Sequence, residues 1–308
     1  MLTTTGNNND DRMNLRIWQE NLNKSPTTQH CILSGPFTAK EWDIIAIQEP
    51  AIDDLGNTKA TPDWNVIYPT HRYTHQDRPR AVTLIHKRIN TNNWRQIPFP
   101  SSDMVVVQFT GPFSHATIFN IYDDSKSRSA IPLLTSFLSR EICTICPAPH
   151  NHMLWLGDFN AHHFLWEEEH NTHLCNTAEA QETSQKLIDL IANYDMQMAL
   201  PKDRPTLQST STSNWTRPDN VFCTAHTIEA IILCDTRLQR RPPCTDHVPI
   251  LTTINWETPL AINAATHNYR DVDWEDFCLA LGTLLSSIPP AGPITTEEQY
   301  QTAANNLS

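Results

Sequence analysis

Seven polar residues stand where apolar runs of the chain give out. Asn21 follows LRIWQE, Glu49 closes DIIAIQE, Tyr122 closes ATIFNIY, and Asp158 with Asn160 closes HMLWLGDFN; Asp246 and His247 come immediately before VPILTTI. Taken one at a time, each suits a strand-end cap or a turn. Together, a glutamate, two asparagines, two aspartates, a tyrosine and a histidine supply hard oxygen ligands, neutral hydrogen-bond donors and one group that titrates near neutrality. That set matches the needs of a site holding one divalent cation against a phosphate diester.

The elements that would position these residues are short runs of strand length: 15–18, 43–48, 64–68, 81–86, 104–109, 116–122, 152–157 and 248–254. Most are β-branched and nearly continuous in apolarity, the pattern of strands covered on both faces. Helical spacing appears around 37–42, from Ser129 to about Cys143, and from Thr177 to about Tyr194, where Leu187, Ile188 and Ile191 recur. The fold class is therefore mixed α/β, and polar groups at strand ends can converge on one edge. Asp246 and His247 reach that edge only if the last strand runs antiparallel to its neighbours. The runs 206–216 and 237–243 read as surface loops.

Composition removes several classes. Only 7 of 308 residues are glycine, against 22 prolines, and neither GxGxxG nor GxxxxGK[ST] occurs, which argues against dinucleotide enzymes and P-loop NTPases. A net charge of −12 rules out a polycation that grips nucleic acid everywhere by charge, so any such contact must be local. It also fits a cleft crowded with carboxylates. The eight cysteines are scattered, with Cys143 and Cys146 the one Cys-x-x-Cys pair, and are expected free. His170, His173 and Cys175 lack a fourth ligand at zinc spacing. No apolar run is long enough to span a membrane, and the start MLTTTGNNNDDR has no secretory pattern, so an intracellular protein without membrane contact is expected.

The fragments QEN (19–21), IQEP (47–50), NIY (120–122), GDFNAHH (157–163), RPDNVF (217–222) and TDHVPI (245–250), in this order, resemble the endonuclease/exonuclease/phosphatase superfamily. QENLNKS, GDFNAHH and TRPDNVF together look most like the endonuclease domain of LINE-type (non-LTR) retrotransposons. The resemblance covers about residues 14–256. It implies a deoxyribonuclease-like four-layer sandwich of two mixed β-sheets flanked by helices, and a Mg²⁺-dependent endonuclease that nicks DNA, Mn²⁺ being able to replace Mg²⁺ and no small-molecule cofactor being needed.

By the same resemblance Glu49 would hold the metal with Asn21 and Asp246 near it, and Asn23 would be a further polar group on that side. His247 would contact the phosphate, oriented by Asp219; Asp158 would align or deprotonate the attacking water; Asn160 and Tyr122 would donate to non-bridging oxygens. His162 and His163 read as loop structure beside the site. DNA contact is expected from the stretch 204–217, with Trp215 at its tip and Arg204 and Arg217 on phosphates, and from Arg72, Arg78, Arg80, Arg237, Arg240 and Arg241. A DNA substrate would place the protein in the nucleus.

Two segments lie outside the resemblance to the nuclease domain. Residues 1–13 are expected to be a disordered tail. The segment 257–308 is expected to be a connector with one amphipathic helix over 273–286, resembling the linker before a reverse transcriptase, with no Tyr-x-Asp-Asp following. The chain thus reads as a truncated piece of an element whose full-length product carries that polymerase as partner. Two rivals stay open: a degenerate module that binds DNA or protein without cutting, and a phosphodiesterase or phosphatase acting on lipid or inositol phosphates.

Overall fold

The computed structural model describes residues 14–35, 38–75, 77–112, 114–148, 150–256, 273–286, and positions 296, 297, 299 and 301. The expected tail over 1–13 and the irregular stretch 257–272 lie outside the described residues. The chain divides into two units, 1–261 and 262–308.

In the first unit two six-stranded mixed sheets face each other. One contains β1 (Leu15–Asn21), β2 (Ile44–Gln48), β3 (Trp64–Ile67), β4 (Ala81–His86), β13 (Ile231–Thr236) and β14 (Ile250–Ile254), in the order β13-β14-β1-β2-β4-β3. The other contains β5 (Trp94–Ile97), β6 (Met104–Thr110), β7 (His115–Tyr122), β8 (His152–Asp158), β9 (Met196–Met198) and β12 (Asp219–Thr224), in the order β5-β6-β7-β8-β12-β9. A small hairpin pairs β10 (Leu207–Gln208) with β11 (Trp215–Thr216). The helices of this unit are α1 (Pro26–Ser34), α2 (Thr38–Glu41), α3 (Arg72–His75), α4 (Ala130–Ile145), α5 (Ala178–Asn193) and α6 (Ala225–Ala230). In the second unit α7 covers Trp274–Ser286, as the spacing predicts.

The continuous apolar runs have a simple cause: alternate residues serve different layers. Leu15 and Ile17 of β1 meet Val105, Ile118, Leu154 and Val221 of the opposite sheet, whereas Trp18 packs outward with Trp42 and Ile32 near α1 and α2. On the far face of the second sheet, Met153, Trp155 and Phe119 pack against Leu134, Phe137 and Leu138 of α4 and Leu187 and Leu190 of α5. Each such side chain removed from water is worth about 1.5–3 kcal/mol.

Toward one end the inter-sheet layer turns polar. Gln19 Nε2 donates to the Gly157 carbonyl at 3.1 Å, Gln48 Nε2 to Asn120 Oδ1 at 2.5 Å, and Asn120 Nδ2 to the Val82 carbonyl at 3.0 Å. These buried amides stitch the sheets together below the strand ends that carry the polar residues. Gly157 is required there: it has φ +148°, and a Cβ would sit 1.8 Å from the Ile121 carbonyl oxygen, so only glycine lets β7 and β8 pair in parallel up to Asp158. Among the described residues no helix is long and apolar enough to cross a membrane.

The short strands β5, β9 and β13 and the helix α1 were not evident from periodicity. β9 has three residues and β5 is half exposed along its length, leaving little pattern to read. α1 does carry a start signal: Ser25 caps it by accepting from the Thr28 amide, and Pro26 occupies the first turn.

Candidate active site

The register brings the chemistry-bearing residues to one edge. β1 and β2 run parallel, with Asn21 beside Gln48 and Glu49 next; β7 and β8 run parallel, with Tyr122 beside Asp158. β12 enters antiparallel, placing Asp219 opposite Asp158. β14 is antiparallel to β1, so the Asp246–His247 segment before it arrives at the same edge. The orientation required of the last strand is the one found.

Buried at the centre are Asp158, Asp219 and His247, whose ligating atoms all lie within 4.8 Å of one another. His247 donates from Nδ1 to Asp219 Oδ2 at 2.9 Å, which leaves Nε2 as the outward nitrogen. Asp158 is held from both sides: Oδ2 accepts from Asn21 Nδ2 at 2.8 Å, and Oδ1 from the Asn160 amide at 2.9 Å. Burial opposes charge on His247, but the carboxylates of Asp219, Asp158 and Asp246 outweigh it and push its pKa up to about 10. Burial, reinforced by Asp219, raises Asp158 well above the usual carboxylate range.

Glu49 stands at the rim, its backbone in the left-handed region (φ 44°) with its amide on the Arg80 carbonyl at 2.8 Å. Asn160 shares that conformation (φ 47°). Non-glycine residues take it at a cost, and here it turns both side chains out of their strands into the cleft. Lys24 Nζ sits 2.9 Å from Glu49 Oε1, and Asn23 Nδ2 donates to Asp246 Oδ1 at 3.5 Å, so consecutive residues bridge the two rim carboxylates. Tyr122 is hydrogen-bonded to Glu49, and burial together with the Glu49 and Asp158 charges keeps its hydroxyl protonated. Asn160 uses one amide hydrogen on the Asp123 carbonyl at 2.9 Å, leaving the other for the cleft.

Three groups at this edge escaped sequence reasoning. Thr206 is fully buried and donates to Asp219 Oδ2 at 2.6 Å, the oxygen that also accepts from His247. No local pattern marks it, because the hairpin alone brings it there. Thr245 accepts from the His247 amide and donates to the Asn21 carbonyl at 2.9 Å; its place in TDHVPI was the available signal. Glu20 is buried beneath, hydrogen-bonded by Trp18 Nε1 at 3.0 Å, and burial raises its pKa well above the usual range.

Two expectations for the 204–217 stretch need correction. Arg217 was expected on phosphate, but it is 1% exposed, with its guanidinium on Asn220 Oδ1 and the carbonyls of Leu200, Pro201 and Trp166. A fork so filled has no donor left for DNA; it pins the strand entering Asp219. Trp215 lies on β11 rather than at the tip, which 209–214 form, and Arg241 lies 5.9 Å from its ring centre. Its carbonyl is held by Asn171 Nδ2 at 2.6 Å, and Asn171 in turn bonds the buried Glu167. Arg204 is half exposed and pairs with Asp235 at 3.2 Å. His162 is loop structure, its Nδ1 on Glu167 at 2.6 Å, and His163 packs on Trp166.

With the site laid out, known proteins offer a comparison. The family model described as an endonuclease-reverse transcriptase matches residues 116–251, which span β7 to β14. No curated protein matches the chain. Among solved structures, the endonuclease domain of TRAS1, a telomere-specific non-LTR retrotransposon, aligns with TM-score 0.57 at 18% identity, covering 78% of this chain and 98% of that one. The AP endonuclease LMAP from Leishmania major aligns with TM-score 0.61 at 12% identity, covering 80% and 88%. The catalytic domain of Xenopus laevis APE2 gives TM-score 0.61 at 14% identity, covering 81% and 94%.

Proposed function

We propose that the chain is a member of the endonuclease/exonuclease/phosphatase superfamily and a divalent-metal-dependent endonuclease that nicks DNA, of the retrotransposon type. The observation that carries this reading is the buried Asp158, Asp219 and His247 cluster, assembled at the same edge as Glu49 from strands far apart in sequence.

The donor set suits a hard cation. Glu49 already accepts an ammonium at 2.9 Å, and Asp246 is the nearby second carboxylate, so the rim is built to neutralise positive charge. Glu49, Asp246 and the Asn21 amide oxygen would hold Mg²⁺, or Mn²⁺ in its place, which when bound supplies charge neutralisation on the scissile phosphate.

The remaining groups handle protons and orientation. Asp158, fixed by Asn21 and the Asn160 amide, is a base whose raised proton affinity suits removal of a proton from water near neutral pH. His247, kept charged by Asp219, presents Nε2–H to a phosphate oxygen. Tyr122, protonated at any physiological pH, and the free Asn160 amide hydrogen donate where negative charge grows. The β10–β11 hairpin with Trp215 and the half-exposed Arg204 are the proposed DNA contacts, and a reverse transcriptase encoded in the same element is the proposed partner. The proposed place of action is the nucleus.

The test is incubation of supercoiled plasmid with Mg²⁺ beside a Glu49→Ala control. Open circles formed by the intact protein and not by the control support the reading. Equal nicking by both, or by neither, removes it; phosphate release from an inositol phosphate instead would move the assignment to the phosphatase branch.

A further inference from the structure

Arg237, Arg240 and Arg241 follow β13, and their side chains are used differently. Arg237 pairs with Asp235 and Arg240 with Glu41, whereas the half-buried Arg241 makes no ion pair among the described residues. Its guanidinium is turned onto the chain instead. Nε and Nη2 both donate to the Thr245 carbonyl, at 3.0 and 2.8 Å, and Nη1 donates to Gln208 Oε1 at 2.9 Å. The Trp215 ring lies beside it, 5.9 Å from centre to guanidinium carbon. A planar fork that sets two N–H groups on one oxygen fixes both the distance and the direction of that oxygen. Ordering so long a side chain costs rotamer freedom, which an arginine on open surface keeps.

The carbonyl so gripped opens the turn that carries the chemistry. Thr245 is followed by Asp246 and His247; its hydroxyl donates to the Asn21 carbonyl at 2.9 Å and accepts from the His247 amide at 3.2 Å. Gln208 and Trp215 belong to the β10–β11 hairpin, and β10 is joined to the same turn. The Gln208 amide donates to the Asp246 carbonyl at 2.9 Å, the Val248 amide to the Thr206 carbonyl at 2.7 Å, and Leu207 forms a bridge with His247. Arg241 therefore grips hairpin and turn at once.

We propose that Arg241 is a positioning residue for the reaction: by holding the Thr245 carbonyl it sets Asp246 and His247 at the catalytic edge, and through Gln208 it makes that setting depend on the hairpin. The proposal rests on the nuclease reading and deepens it. It differs from the phosphate contact expected of Arg241 from sequence, because replacing a residue that only binds phosphate leaves the turn of the metal-free protein undisturbed.

The test compares the intact chain with Arg241→Lys, which keeps the charge and loses the fork. In the metal-free protein, amide hydrogen exchange at Gln208 and His247 should accelerate about tenfold or more, the factor one charge-assisted hydrogen bond is worth, while Met153 at the start of β8 exchanges as before. Gln208→Ala, which breaks the hairpin half of the grip, should give a smaller acceleration at the same amides, and it decides the matter if Arg241→Lys does not fold. With Mg²⁺ and plasmid, Arg241→Lys should lower kcat about tenfold and leave KM and duplex binding in EDTA unchanged. Unaltered exchange at both amides overturns the proposal. So does weaker duplex binding with kcat retained, which makes Arg241 a phosphate contact. If the intact protein never nicks, the nuclease reading falls, and the exchange rates alone decide whether Arg241 sets the turn.

Discussion

Strand β8 begins at one buried histidine and ends beside another, and the two sit in opposite charge states. Among the described residues His152, at its start, has only other imidazoles for charged neighbours: its ring lies 4.8 Å from that of His226, and its buried Nδ1 has no partner there. Burial, with His226 and His150 adding to it, pushes its pKa down to about 4. His247, beyond the far end of the strand, is as deeply buried but faces Asp219 and Asp158, and is pushed up to about 10. Burial by itself discharges an imidazole; a buried carboxylate at hydrogen-bond distance reverses the outcome. The end of the sandwich that gathers carboxylates therefore keeps an imidazolium at neutral pH, whereas the end that gathers histidines keeps a neutral ring.

The sharpest way to break this contrast is to exchange function between its two ends. His247→Ala should lower plasmid nicking by about 10² to 10⁴, whereas His152→Leu should leave it within a few-fold. Equal losses would mean that histidine burial, not the carboxylate pairing, is what the reaction needs. Next in size is Asp219→Asn, which removes the charge that sustains the imidazolium. In the metal-free protein, NMR titration of the His247 ring should then show a pKa well below about 10, and nicking should fall by about 10- to 100-fold. An unmoved titration would locate the cause elsewhere than in Asp219.

Stability carries the same contrast with a definite sign. His152 has a folded pKa below its unfolded value, so the unfolded chain binds the extra proton as pH falls below about 6.5. Between pH 7 and pH 5 the wild type should lose about 2 kcal/mol relative to His152→Leu in urea unfolding. His247 has a folded pKa above its unfolded value, so its stabilisation is fully present below about pH 6.5 and disappears as pH rises through about 10. The stability gap between wild type and His247→Gln should close over that alkaline range, and a constant gap would contradict the ion pair.

The smallest expected effect concerns the support of the pair. Thr206→Val removes a hydroxyl that donates to the Asp219 oxygen shared with His247. One charge-assisted hydrogen bond of about 1.5 kcal/mol corresponds to roughly a tenfold slower nicking rate. Full activity in that variant would show that the hairpin and the histidine are independent.

Much of this is legible in the sequence. The strand ends at Asn21, Glu49, Tyr122 and Asp158 could be read because an uninterrupted β-branched run that stops at a polar residue marks a covered strand reaching an edge. GDFN could be read for its chemistry but not for its glycine, whose necessity lies in the 1.8 Å approach to the Ile121 carbonyl oxygen. The burial of Arg217 is not legible in the sequence, because an arginine in a polar stretch looks the same whether it faces solvent or fills a nest of carbonyls; the carbonyls come from the chain at 166 and at 200–201. Thr206 leaves no trace in sequence for the same reason, since its partner is distant in the chain.

The amino-acid order alone set the apolar periodicities, the strand and helix inventory in outline, and which residue types stand at strand ends, because these depend on neighbours within a few positions. Tertiary structure decided the charge on each histidine, the single oxygen shared by Thr206 and His247, and the burial of Arg217. Those properties depend on desolvation and on hydrogen bonds between groups 13 to more than 100 residues apart, which exist only once the two sheets have closed on each other.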